Sequence, residues 1–241
     1  MKHLVTSGCS FTETRSNIVT SWAKHLAKEL NLELHNYAYS SMGNSLIARQ
    51  AIFGVEKLLQ NNNPEDILVG IMWSSADRGD YFDQDVQLGA MNGVDHCLQN
   101  PISFVEENKG NWIIQNAGWN HPSSNLWYKQ FWNPLGGLIN TLEKVMWTQN
   151  YLDSKGVKYF MSTYSNKACP LDTDDINLNW MRNSLDFSKF CDFGMYEWCR
   201  DNGVVSFTLE FEGDVAHPNS KQHLEYTNKV ILPHLKNYDY I

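Results

Sequence analysis

Clusters of basic residues are missing from this chain. Nineteen Lys and Arg stand against 27 Asp and Glu, a formal net charge of -8. Broad binding to phosphate backbones needs grouped Lys and Arg, so nucleic acid is not an expected partner. Long apolar runs are also missing, and none approaches the roughly 20 residues of a membrane span, so no membrane partner is expected. Met1-Lys2 leads into a short apolar stretch with no small-residue cleavage site behind it. No signal peptide is expected, and the expected setting is cytoplasmic or virion-associated. The cysteines are few: positions 9, 97, 169, 191 and 199, odd in number, with no CxxC pair. That excludes a zinc ribbon and a disulfide framework. No Walker loop and no GxGxxG occur, and Asp85 and Asp95 in DVQLGAMNGVD do not have EF-hand spacing. The expectation is therefore no cofactor and no metal.

What is present is an alternation of strand-like and helix-like segments. Lys2–Ser7 is a short apolar strand ending at Gly8. Residues 18–30 carry apolar side chains at 18, 22, 26 and 30, which is helical spacing. Leu32–Ala38 alternates as a weaker strand. Asn44–Gln60 is a second helix, broken at Asn62-Asn63-Pro64. DILVGIMW, Asp66–Trp73, is a continuous apolar run of strand length, suited to burial on both faces of a parallel sheet. Residues 74–132 lose periodicity and read as an insertion with short helices. It holds Trp112, Trp119, Trp127 and Trp132, which form either a small core or a platform for sugar rings. Asn133-Pro134 caps a helix running to about Lys155, with 135, 138, 142, 145, 149 and 152 on one face, closed by Gly156. Val157–Thr163 is a fourth strand, 181–202 mostly helix, Val204–Thr208 a fifth strand, and Ser220–Leu235 a last helix with 224, 227, 230 and 231 inward.

Strand–helix alternation predicts a parallel sheet with right-handed crossovers, a three-layer α/β/α sandwich in one domain of 241 residues. Sites in such sheets form outside the carboxyl ends of the strands. Gly8-Cys9-Ser10 follows the first strand there. YAYSSMGNS with Gly43 and Asn44 follows the second, and Ser74, Ser75, Asp77 and Arg78 follow the third. Tyr164, Ser165 and Asn166 follow the fourth, and FEGDVAHPNS with Asp214 and His217 follows the fifth. A serine hydroxyl is a weak nucleophile until a base takes its proton. His217 is the natural base for Ser10, and Asp214, three residues earlier, is placed to orient it. The N–H groups of Ser10 and Gly43, both near helix starts, are candidate donors to an oxyanion. Cys9 is expected to be a buried thiol rather than the nucleophile.

These residues resemble the SGNH, or GDSL-like, hydrolases. That family's Gly-Asp-Ser motif corresponds to Gly8-Cys9-Ser10-Phe11. Its glycine after the second strand corresponds to Gly43, and its Asp-x-x-His near the C-terminus to Asp214-Val215-Ala216-His217. The resemblance implies a flavodoxin-like sheet of five parallel strands in the order 2-1-3-4-5, and ester hydrolysis by Ser10, His217 and Asp214. Two positions depart from the pattern. Cys9 stands where the family has Asp, a turn-shaping position. WSSADR stands where the family has Gly-x-Asn-Asp, so the amide-bearing Asn of the oxyanion hole is absent. Ser75 occupies roughly its place, with Arg78, Asn116 or Asn120 as substitutes. Asn44 and Arg78 are candidate substrate-binding residues.

The expected function is hydrolysis of a small-molecule or glycan ester, an acyl or O-acetyl group on a carbohydrate. Two alternatives use the same scaffold: a carbohydrate-binding or virion-associated protein that has lost hydrolysis, and a sugar O-acyltransferase. His223 and His234 are expected to be solvated or capping, and His3 core or edge.

Overall fold

The computed structural model describes residues 1–13, 19–83, 111–115, 122–202 and 217–241. Strand β1 (His3–Gly8) lies at the heart of a parallel sheet with β2 (Glu33–Asn36), β3 (Ile67–Trp73) and β6 (Lys158–Thr163), in the order β2-β1-β3-β6. Every pairing in this sheet is parallel. Among the described residues it has four strands, not five; the expected fifth, 204–208, lies outside them. The order of the four matches the expectation.

The apolar run of β3 is buried at every position, as a central strand demands. Its odd-numbered residues, Ile67, Val69, Ile71 and Trp73, join a core with helices α2 (Asn44–Leu59) and α4 (Pro134–Lys155). Its even-numbered residues Leu68 and Met72 join a second core with α1 (Trp22–Glu29), α6 (Met195–Asp201) and the C-terminal helix. Side chains alternate across a strand, so one sequence run feeds two cores and a three-layer α/β/α sandwich follows.

The caps of α4 fall where the sequence puts them. Asn133 accepts from the Gly136 N–H, Pro134 takes the first turn, and Gly156 closes the helix at φ 67°. Leu135, in that first turn, is exposed rather than inward. The segment 181–202 is broken rather than mostly helical. A short helix α5 (Asn179–Arg182) and a 3-10 turn (Phe187–Lys189) precede α6. The Cys191 N–H donates to the Met161 carbonyl (2.8 Å), so this stretch runs beside β6 instead of coiling.

Between β3 and α4 the chain forms an antiparallel pair, β4 (Gly79–Asp83) with β5 (Asn111–Gln115), then α3 (Pro122–Gln130). Trp112 packs on Phe82 (5.6 Å), Trp127 on Phe131 (5.9 Å) and Trp132 on Tyr128 (5.7 Å). Trp127 lies against Gly79, and Trp132 against Gly137 of α4, where a Cβ would come within 3.0 Å of the indole nitrogen. All three tryptophans are half-buried and pin this segment to its neighbours; Trp119 lies outside the described residues.

The last helix is α7 (Ser220–Tyr226), a π-helical stretch (Thr227–Ile231) and α8 (Leu232–Asn237) in succession. Leu224 is exposed, against expectation, while Thr227, Val230 and Ile231 are buried. His223 and His234 are buried, not solvated. The Trp22 N–H donates to His223 Nδ1 (3.2 Å), and burial pushes the His223 pKa down to about 3. The four described cysteines are buried free thiols, Cys9 among them.

Candidate active site

Gly8 answers to space. A Cβ there would lie 2.3 Å from Thr12 Oγ1 and 3.0 Å from the Met72 carbonyl oxygen. Without one, the chain turns sharply: the Cys9 carbonyl accepts from the N–H groups of Thr12 (2.9 Å) and Glu13 (3.0 Å). Asn36, at the end of β2, braces this turn by donating to the Thr12 carbonyl (2.9 Å), and the Trp22 indole donates to Thr12 Oγ1 (3.1 Å). Ser10 rides on the turn, at the carboxyl end of the central strand. Among the described residues no acceptor is bonded to its backbone N–H.

His217 arrives from the other end of the chain. Asn219 and Gln222 form a reciprocal capping box at the start of α7, so the two residues before it, His217 and Pro218, enter on a defined path. The Thr20 N–H donates to Ser220 Oγ (2.9 Å) and the Ser220 carbonyl contacts His25 Nε2 (3.1 Å). With the Trp22–His223 bond, these contacts dock the C-terminal helix on α1. The consequence is the decisive distance: His217 Nε2 lies 2.7 Å from Ser10 Oγ, across 207 positions of sequence. The side chain of Asp214 lies outside the described residues, as do Asn116 and Asn120.

An aromatic group surrounds the pair. Phe11 packs against the His217 ring (5.2 Å) and edge-on against Tyr164 (5.1 Å). The Arg78 guanidinium sits over Tyr164 (5.6 Å) and donates to Ser74 Oγ (2.7 Å). Burial raises the Tyr164 pKa, and Arg78 opposes that shift. Arg78 thus reaches the neighbourhood of His217 through two rings. Phe11 and Tyr164 carry no catalytic signature in sequence; the only signal was their place just after strand ends.

The expected oxyanion donors are arranged differently. The Gly43 N–H donates to Asp80 Oδ1 (2.9 Å), and Asp80 Oδ2 accepts from the Leu46 N–H (2.9 Å). Asp80, carried in on β4, caps α2 from outside. A Cβ at Gly43 would meet Asp80 Oδ2 at 2.7 Å, so the glycine admits the carboxylate. Burial pushes the Asp80 pKa up to about 6, against the pull of those two N–H bonds and of Arg49 and Arg78. Ser75 is nearly buried and its Oγ donates to the Ala168 carbonyl (3.2 Å). Asn44, expected to touch substrate, is buried instead. Its Nδ2 donates to the Ser74 carbonyl (3.2 Å) and to Thr141 Oγ1 (3.0 Å), and its Oδ1 accepts from the Ser74 N–H (2.8 Å). It ties α2 to the end of β3 and to α4, and every polar atom of its amide is spent on that task.

The fold has a solved counterpart. Protein YxiM of Bacillus subtilis, known from an X-ray crystal structure, aligns over 99% of this chain and 57% of its own at a TM-score of 0.53 and 12% identity. The chain therefore spans little more than half of that neighbour, and the likeness speaks for the α/β fold alone. No family model matches the sequence, and no curated protein matches it either.

Proposed function

We propose that the protein is a serine hydrolase that cleaves an ester, with Ser10 as nucleophile and His217 as base. The observation that carries this reading is the 2.7 Å contact between Ser10 Oγ and His217 Nε2 at the carboxyl edge of the sheet. In the reaction, Ser10 Oγ attacks the ester carbonyl while His217 Nε2 takes its proton. The tetrahedral intermediate collapses when His217 returns that proton to the leaving alkoxide. Water then attacks the acyl-enzyme by the same relay, releasing the acid and restoring Ser10. Asp214 is the proposed partner of His217 that fixes its tautomer. The Ser10 N–H is the proposed donor to the oxyanion, with Arg78, held over the Tyr164 ring, the proposed assisting cation. Small glycan or acyl esters are the proposed substrates. The resemblance to SGNH hydrolases supports the same assignment.

The test is turnover of short-chain p-nitrophenyl esters, together with covalent labelling by a fluorophosphonate probe. Wild type should turn over and label at Ser10; Ser10→Ala should do neither. Equal turnover by both proteins rejects the reading.

A second reading has its own observation: Asp80 takes the Gly43 N–H. A missing oxyanion donor costs about 100–1,000-fold in rate. On this reading the protein binds an acylated or plain carbohydrate on the same surface and turns it over slowly or not at all. Glycan binding without labelling at Ser10 selects it.

A further inference from the structure

The opposite edge of the sheet carries a second cluster that the sequence alone does not advertise. His3 opens β1, and Glu33 and His35 lie on β2. Parallel pairing sets His3 against Glu33 and Val5 against His35. Residues paired across a sheet share a face, as do positions i and i+2 of one strand, so all three side chains emerge on the same side. Seven residue steps of extended chain and turn carry the backbone from His3 to Ser10, roughly 20 Å.

The three groups meet at ligand distances. His3 Nδ1 lies 3.2 Å from His35 Nε2 and 3.3 Å from Glu33 Oε2, and His35 Nε2 lies 3.6 Å from Glu33 Oε1. A tetrahedral zinc ion with bonds of about 2.0–2.1 Å has ligand atoms about 3.3 Å apart. The two imidazole nitrogens stand at that spacing, each imidazole nitrogen faces one oxygen of the Glu33 carboxylate, and one ligand atom from each residue lies within 4.8 Å of the others, so a small turn of the carboxylate brings one oxygen to the third corner of a tetrahedral face.

The tautomer of His3 is also set. Asn62 Nδ2 donates to the Leu58 carbonyl (3.0 Å), which turns Asn62 Oδ1 toward His3 Nε2 (3.0 Å). A carbonyl oxygen only accepts, so His3 Nε2 carries the hydrogen and Nδ1 presents its lone pair to the cluster. An imidazole that donates its far N–H to a carbonyl is the usual outer support of a metal ligand. The histidine side chains are 14% and 21% exposed and Glu33 66%, so an ion enters from solvent past the carboxylate.

We infer that His3, His35 and Glu33 bind one divalent transition-metal ion of the zinc class, bridging β1 to the edge strand β2. Two imidazoles and a carboxylate suit that class better than magnesium or calcium, which prefer all-oxygen shells. Three protein ligands leave a fourth position for water. The site lies far from Ser10, so its role is to brace the sheet edge and not to act on the ester. It does not depend on the hydrolase assignment.

The experiment uses the untagged full chain, stripped with a chelator and titrated with zinc against a chromophoric competitor. One zinc per chain is expected. Glu33→Gln, His35→Asn and the double variant His3→Asn/His35→Asn should each weaken it, and the double variant should abolish the zinc-dependent rise in Tm. Asn62→Leu, which removes only the outer support, should weaken binding about tenfold. Glu33 is largely exposed, so its variant folds and remains an informative control. No zinc bound at micromolar concentration, or equal binding by wild type and the double variant, overturns the inference.

Discussion

The two halves of the candidate site are built on opposite principles. Around Ser10, groups far apart in sequence converge to bring a hydroxyl and an imidazole into contact. His217, on the path into α7, reaches Ser10 Oγ, and His223 in the first turn of α7 anchors that helix to α1. Around Gly43, groups converge to consume polar capacity. Asp80 takes the N–H groups of Gly43 and Leu46, and Asn44 spends its whole amide on Ser74 and Thr141. The first half is a hydroxyl–imidazole contact, the arrangement that the proposed reaction uses; the second is a satisfied helix terminus. A backbone N–H at a helix start is therefore an oxyanion donor only if no side chain has claimed it first.

The sharpest way to break this contrast is to remove the proposed nucleophile and its proposed base. Ser10→Ala and His217→Ala should each lower ester turnover by about 1,000-fold or more with little change in Tm. Retained turnover in either variant would remove the catalytic role of the Ser10 half.

Acid should separate the halves next. The His223 pKa lies at about 3 in the fold against 6.5 in an exposed chain. The unfolded state therefore takes up the proton first, and the stability of neutral His223 is lost progressively as pH falls from 6.5 toward 3, up to ~5 kcal/mol. Asp80 runs the other way. Its pKa is raised from 3.8 to about 6. The folded state takes up that proton first, so its contribution is fully present below pH 3.8 and lost as pH rises through 6, up to ~3 kcal/mol. The larger shift wins, so wild type should lose net stability on acidification. Denaturant titrations from pH 7 to pH 4 should show a small net loss for wild type, a rise in stability for His223→Gln, where only Asp80 titrates, and a steeper loss for Asp80→Asn. The reverse pattern would mean that the two groups have exchanged roles.

A smaller effect sharpens the Gly43 half alone. Gly43→Ala puts a methyl 2.7 Å from Asp80 Oδ2, so the β4 carboxylate must move. The expected cost is about 1–3 kcal/mol in Tm-monitored unfolding. Ester turnover should then rise or hold if the released N–H becomes available to substrate, and labelling at Ser10 should persist. A fall in labelling would show that the capped terminus supports the nucleophile after all.

Much of this was written locally. The β3 run, the caps of α4 at Asn133 and Gly156, and the four strands of the parallel sheet follow from apolar period and turn chemistry over a few residues, while the β4–β5 pair and the broken 179–201 stretch do not. Ser10 and His217 were legible because strand ends in alternating α/β chains meet on one edge. The role of Asn44 was not, because nothing in a single side chain tells whether its neighbours are solvent or the ends of β3 and α4. Nor was Asp80, a residue of an aperiodic insertion whose target lies 37 positions away. His3, Glu33 and His35 were equally hidden: they become neighbours only once two strands pair in one register.

The chain by itself determined the β1, β2, β3 and β6 strands, the α4 caps and which polar residues follow the strand ends, because hydrophobic period and capping act over a turn or a few residues. Only the tertiary structure decided which N–H groups and side chains remain open to a substrate. That is settled by which distant donor or acceptor reaches each polar group first, and a buried polar group is costly to leave unpaired.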